Sequence, residues 1–284
     1  MTRVCHRPPT RIRIRWDAGA PVAIGGSGGL RRGGPRARVP VGTDDSWIHG
    51  PLLGFDTETT GVDPRRDRLV TAALVARGPL VAGARSQRVR TWMADPGVEI
   101  PAAAAAVHGV STERARAEGR TAPEVLEEVA GALAAAMSVG TPVVAFNGSF
   151  DLTLMESELS RHALPTVRER LGGDLGPVVD PLVLDRGVDR YRRGKRRLGD
   201  LCEVYGVSVD ESLHTAEVDV IATLDVLEAL VHAYPELARL GLDELVPFQA
   251  SAHRRWAESF NAWLARKSPG RPGADLDWPL PAGL

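Results

Sequence analysis

Pro51-Leu-Leu-Gly-Phe-Asp56-Thr-Glu58-Thr-Thr-Gly61 sets two carboxylates two positions apart at the end of an apolar run. Side chains alternate along a strand, so positions i and i+2 share a face. A chain that folds this segment as a strand must aim Asp56 and Glu58 together, beside buried neighbours. Like charges held that close raise each other's pKa unless a cation lies between them. Hard oxygen donors suit Mg²⁺ or Mn²⁺. Taken alone, the pair more often marks a solvated strand edge, so the rest of the chain has to decide.

The surrounding pattern predicts strands over residues 52–56, 68–76 and 87–93, joined by short Gly and Asp turns that suit hairpins. Thr121-Ala-Pro123-Glu124 opens a helix to about residue 137, with a capping residue, a first-turn proline and an acid near the positive end. Residues 142–146 form a short apolar strand. A helix begins at Ser149, with Leu152, Met155 and Leu159 on one face. Val178 and Val179 suggest a last strand, and helices follow over 198–205 and 215–232. Three strands followed by alternating helix and strand give an α/β chain with a mixed sheet.

Three segments are expected. Residues 1–46 carry nine Arg against three Asp among many Gly and Pro, and read as a disordered basic segment. Residues 47–240 hold the compact domain. Residues 241–284 read as a helical extension that turns loose from about residue 268. Trp256, Phe260 and Trp263 fall at helical spacing, which fits a partner-binding helix or one packed on its own domain.

The net charge of −1 gives no global field toward nucleic acid, so any polyanion site must be local or made by metal. Basic residues comprise 33 Arg and only Lys195 and Lys267. Arginine grips phosphate well, but a genome biased toward Arg codons explains the imbalance equally. Cys5 and Cys202 are too few for a disulfide framework or a cysteine zinc cluster. No stretch approaches the roughly 18–20 apolar residues of a membrane span. With no convincing signal peptide, a cytoplasmic setting is expected.

Two more segments carry candidate acids. Asp151 follows Val143-Val-Ala-Phe-Asn147-Gly-Ser-Phe150 and falls in the first turn of a helix, where the dipole favours a carboxylate. Asp219 closes His214-Thr-Ala-Glu-Val-Asp219, next to apolar Val218 and Val220. His214 shares a site with Asp219 only if it lies in the loop ahead of the helix. Read singly, Asp151 and Asn147 are also ordinary helix-start and turn residues, and His214 an ordinary loop residue.

The three segments, in this order and spacing, resemble the motifs of the DEDDh 3′→5′ exonucleases, the family that includes the proofreading epsilon subunits of bacterial DNA polymerase III. The resemblance covers about residues 50–233. Val107-His108-Gly109-Val110, Val179-Asp180-Pro181-Leu182 and Arg197-Leu-Gly-Asp-Leu-Cys-Glu-Val-Tyr-Gly-Val207 add to it. It implies an RNase H-like fold, a mixed five-stranded sheet flanked by helices. It implies two Mg²⁺ or Mn²⁺ ions, with Asp56 bridging both, Glu58 and Asp219 completing one shell, and Asp151 serving the second partly through water. His214 is then the general base, and Thr57, Thr59, His108, Asn147 and Phe150 lie near the substrate. Phe146 departs from the family, which often has His there, and no glutamine-led clamp-binding peptide follows the core.

The implied activity is 3′→5′ hydrolysis of single-stranded or frayed DNA ends, releasing nucleoside 5′-monophosphates. A polymerase or repair partner would bind through the C-terminal extension. The alternatives are trimming of RNA or short oligonucleotides by the same fold, or a non-catalytic accessory subunit.

Overall fold

Leu52, Leu53, Gly54 and Phe55 are all buried, so the strand Leu52–Thr59 (β1) has protein on both faces. A strand covered on both sides needs a near-continuous apolar run, and this one has it. The computed structural model describes residues 46–208 and 215–284. Residues 1–45 and the expected base His214 lie outside them. All described residues belong to one compact unit.

Two antiparallel strands follow, Leu69–Arg77 (β2) and Gln87–Asp95 (β3). The chain then forms helices Ala102–His108 (α1) and Thr112–Glu118 (α2). A two-residue strand, Arg120–Thr121 (β4), leads into helix Ala122–Ser138 (α3). Strand Val143–Val144 (β5) feeds helix Ser149–Arg161 (α4), and Val167–Leu171 (α5) follows. Strand Val178–Val179 (β6) precedes Pro181–Val188 (α6) and Leu198–Tyr205 (α7). Ala216–Ala233 (α8), Glu236–Arg239 (α9) and Leu242–Lys267 (α10) complete the described helices.

The sheet order is β4-β3-β2-β1-β5-β6, with β1 central. β5 and β6 run parallel to β1 and to each other, while β2 pairs with it antiparallel. The sheet has six strands rather than the expected five. The extra one is β4, whose two residues pair with Ala94 and Asp95 at the outer edge.

One face of the sheet packs on α3 and α4, where Phe55 meets Val125, Leu126, Leu152 and Met155. The other packs on α8 through Leu52, Val144, Val220 and Leu224. Gly54 allows that approach. A Cβ there would lie 2.4 Å from Val220 Cγ1 and 2.9 Å from Leu224 Cδ1.

The C-terminal segment corrects one expectation. Residues 268–284 are not loose: Trp278 is buried in the main core, and Leu280 packs against it. Asn261 exchanges two hydrogen bonds with the backbone of Ala274, and the Arg65 guanidinium donates to the Ala282 carbonyl. Pro/Gly content misleads here because side-chain anchors tie this terminal segment down. α10 lies on the same unit. Its fully buried Gln249 accepts from the Asp180 N–H (2.7 Å) and donates to the Val178 carbonyl (3.0 Å), occupying the outer edge of β6.

Candidate active site

Alternation along β1 sorts the acidic residues. Residues 52, 54, 56 and 58 face α8, and residues 53, 55 and 57 face α3 and α4. Asp56 and Glu58 therefore meet Asp219, which sits in the first turn of α8. One carboxylate oxygen from each of the three lies within 4.8 Å of the other two. β1 holds Asp56 opposite Ala73 and Glu58 opposite Thr71, and the ladder is irregular between Glu58 and Thr59. Such irregularities re-aim side chains at strand ends.

Asp151 lies behind the strand. It is buried in the first turn of α4, and its Oδ1 accepts both the Thr57 amide (3.0 Å) and the Thr57 hydroxyl (2.6 Å). Asp151 is therefore fixed by the residue between the other two acids, on the opposite side chain parity. Its charge still reaches both of them.

Burial and mutual repulsion shape the electrostatics. Burial pushes Asp56 well above the usual carboxylate range, and the charges of Asp151, Glu58 and Asp219 add to the effect. Glu58 rises to about 7 through burial, then through Asp219 and Asp151. Burial also raises Asp151 to about 7, against the opposing hydrogen bonds from Thr57. No cationic side chain pairs with Asp56, Glu58 or Asp151 among the described residues. A donor set of converging carboxylate oxygens, costly to ionise alone, fits a hard divalent cation.

The expected substrate residues fall around this centre. His108 is buried at the end of α1, and its Nδ1 accepts from the Val110 amide (3.2 Å). Burial lowers its pKa, against an opposing hydrogen bond with the Thr59 backbone, and so favours the neutral imidazole. It lines a cavity of about 240 Å³ together with Glu58, Thr71, Trp92, Arg114 and Thr215. Thr59 is buried, and its hydroxyl donates to the Gly61 carbonyl (2.5 Å), so it shapes the turn after β1. Thr57 is tied to Asp151. Asn147 is exposed in a left-handed conformation (φ 59°), which Asn tolerates better than most residues, and Phe150 is half-buried in the first turn of α4. Phe146 is half-buried against the cluster of Leu201, Cys202, Ala222 and Val226, between α7 and α8.

A further acid, Asp180, supports the site from the end of β6. Asp180, fully buried, accepts from the amides of Asn147 (3.1 Å) and Gly148 (3.0 Å) and also caps α6 through the Leu182 amide (2.9 Å). It holds the loop that carries Asn147 toward α4. The signal was present: an Asp directly before Pro181 is an N-cap followed by a first-turn proline. Arg114 and Thr215 carried no comparable signal.

Comparison with known proteins agrees with this geometry. The exonuclease family model (RNase_T) matches residues 53–227. A DNA polymerase III subunit epsilon-like protein from Rhodobacter capsulatus is 32% identical over 241 residues, covering 82% of this chain and 30% of the relative. A PolC-type DNA polymerase III from Streptococcus pneumoniae is 27% identical over 202 residues, covering 68% of this chain and 12% of the relative. Among solved structures, exonuclease I from Methylocaldum szegediense matches with a TM-score of 0.54 at 22% identity, over 75% of this chain and 46% of that one. A zinc-bound E. coli exonuclease I–ssDNA complex matches with a TM-score of 0.55 at 18% identity, over 75% and 45%. The chain thus spans less than a third of the length of these curated relatives and less than half of these solved chains. At such identities the structural likeness shows the fold, which is RNase H-like. The matched span runs from the strand of the acidic pair through the helix of Asp219, and on that ground the chain belongs to the exonuclease family.

Proposed function

We propose that this chain is a divalent-metal-dependent 3′→5′ exonuclease that hydrolyses single-stranded or frayed DNA ends to nucleoside 5′-monophosphates. The observation that carries the reading is the convergence of Asp56, Glu58 and Asp219 within 4.8 Å, inside the span matched by the exonuclease family. The preference for single strands is supported by solved exonuclease I structures, similar in fold, that hold dT13 and dA16 oligonucleotides.

Asp56, Glu58, Asp219 and Asp151 would hold two Mg²⁺ or Mn²⁺ ions, which would neutralise charge on the phosphate and on the leaving oxygen. The chain's own residues do the rest. Thr57 keeps the Asp151 carboxylate from rotating, since both its amide and its hydroxyl hold Oδ1. Asp180 fixes the Asn147 loop, so that Asn147 and Phe150 lie beside the terminal nucleotide. His108 supplies a neutral imidazole on the cavity next to Glu58. His214, one residue ahead of the α8 cap Thr215, takes the proton from the attacking water, a role suited to a group titrating near neutrality.

Matched, end-labelled DNA and RNA strands test the reading. EDTA should abolish digestion, and added Mg²⁺ or Mn²⁺ should restore it, faster on DNA. Full turnover by thoroughly metal-free protein would refute the metal site. Faster digestion of RNA would move the substrate class, because discrimination rests on contacts to the 2′-hydroxyl.

A further inference from the structure

A second charged feature lies apart from the acidic cluster. Helices α6 and α10 and the segment after α6 enclose a cavity of about 110 Å³ lined by Arg186, Arg190, Arg196, Arg255, Trp256 and Ser259. No carboxylate lines it. Of the four arginines, Arg196 is paired with Asp185 (2.6 Å). Arg186, Arg190 and Arg255 have no ion pair within 4 Å among the described residues.

The nearest acids are already committed. Asp185 is fully buried, with Arg192 and Arg196 on one oxygen and the Tyr205 hydroxyl donating to the other. Asp180 is occupied by the amides of Asn147, Gly148 and Leu182. Arg186 instead places its guanidinium carbon over the Trp256 ring at 3.6 Å from the centroid, and Trp256 stacks on Phe260 at 5.4 Å. Burial lowers Arg186 to about 10, opposed by the charge of Asp180, so it stays cationic at pH 7. A half-buried guanidinium with no carboxylate in ion-pair reach, joined by two exposed ones, leaves an anion to offset the desolvation that the more distant charges of Asp180 and Asp185 do not. Arginine forks match phosphate oxygens, and stacking on an aromatic ring leaves their in-plane donors free. Partly exposed aromatics next to a basic groove are the combination that holds unpaired strands.

We propose that this cavity binds a backbone phosphate of a nucleic-acid single strand through Arg186, Arg190 and Arg255, forming a strand-holding site separate from the acidic cluster. Only the identity of the strand rests on the exonuclease reading; the anion site rests on the cavity. Asp180 caps the N-terminus of α6 and also holds the Asn147 loop, and Arg186 follows six residues later, about 9 Å along the helix. The strand would therefore be held close to where its end is cut.

The test uses the full chain in EDTA, where no cutting occurs, and a fluorescein-labelled (dT)12. Arg190 and Arg255 are both exposed, so the charge reversals R190E and R255E can be combined without disturbing the core. The double variant should bind (dT)12 at least tenfold more weakly. The slope of log affinity against log salt should fall by about 0.7, the amount per lost phosphate contact on a single strand. R190A with R255A should move both readings in the same direction by less. Hydrolysis of p-nitrophenyl thymidine 5′-phosphate with Mn²⁺, a substrate too short to span both sites, should be unchanged. Equal affinity and equal salt slope in wild type and double reversal would overturn the proposal. Saturable binding of inorganic phosphate that the double reversal abolishes, with (dT)12 affinity equal in the two proteins, would assign the cavity to free phosphate and overturn the strand assignment. Should the exonuclease reading itself fail, the ester would go uncut by both proteins while the difference in strand binding persisted.

Discussion

Thr57 separates two carboxylates that face α8 and grips a third that faces α4. Without metal, this arrangement works against the fold. Glu58 and Asp151 are both raised to about 7, and Asp56 is raised well above its usual range, because ionising any of them buries charge beside charge. A carboxylate whose pKa is raised in the folded state favours folding below its unfolded pKa, near 4, and loses that contribution as pH rises through its folded pKa. The metal-free protein should therefore lose stability steadily from about pH 4 to beyond pH 7. Added Mg²⁺ should raise Tm more at pH 8 than at pH 5, measured by thermal melts at both pH values. Asp56→Asn removes one of the repelling charges. It should raise Tm in EDTA at pH 8, abolish the Mg²⁺-induced rise, and cut kcat on the order of 10³-fold or more. Loss of stability in EDTA would show that Asp56 is paired rather than repelled. His214 makes the opposite prediction. His214→Ala should keep the Mg²⁺-induced rise in Tm, lose about 10²- to 10⁴-fold in rate, and lose the His-like step in the pH–rate profile. An unchanged rate and profile would remove it from the mechanism.

At the scale of elements, the distance between Asp56 and Asp219 is set by how closely α8 approaches β1. Gly54 sets that distance, because any side chain there would run into Val220 and Leu224. Gly54→Ala should cost about 1–3 kcal/mol by overpacking. It should also lift α8 and weaken Mg²⁺ binding, although it touches no ligand. Calorimetric metal titration checks this, and unaltered affinity in a destabilised protein would show that α8 is positioned elsewhere. The elements around the site were largely legible. The 52–56 pattern and the stripe of Val220, Leu224, Leu227 and Val231 mark β1 and α8, because both bury regular apolar faces. The helix 198–205 was read with the bounds it has. The parity that places Asp151 behind Thr57 was not legible. It depends on which side of β1 each helix covers, and that is decided by long-range packing. α1 and α2 were missed as well, since each spans seven residues and carries little apolar periodicity.

For the whole molecule, the described chain from Ser46 to Leu284 folds around one sheet, and its last residues are part of the core. Trp278 packs with the main cluster, and the Arg168 guanidinium donates to the Leu284 carbonyl. Trp278→Ala should cost about 3–5 kcal/mol, which for a chain of this size lowers Tm by roughly 2–4 °C per kcal/mol. A Tm unchanged by this substitution would return the tail to the loose segment that its composition suggests. α10 spends Gln249 and its apolar side on the unit itself, so any polymerase or repair partner would meet its outer face, where Trp263 is 48% exposed. No helix among the described residues is long and apolar enough to cross a membrane.

If these carboxylates cut a strand, they should cut it from its 3′ end. The most direct measurement compares four forms of one single-stranded DNA in Mg²⁺: 5′-labelled, 3′-labelled, 3′-blocked and circular. Cutting from the 3′ end gives a stepwise ladder from the 5′-labelled strand and immediate release of labelled mononucleotide from the 3′-labelled one. The blocked and circular strands should resist, and all cutting should be lost in Asp56→Asn. Efficient cutting of the circle, or release of mononucleotide from the 5′ end first, would contradict it.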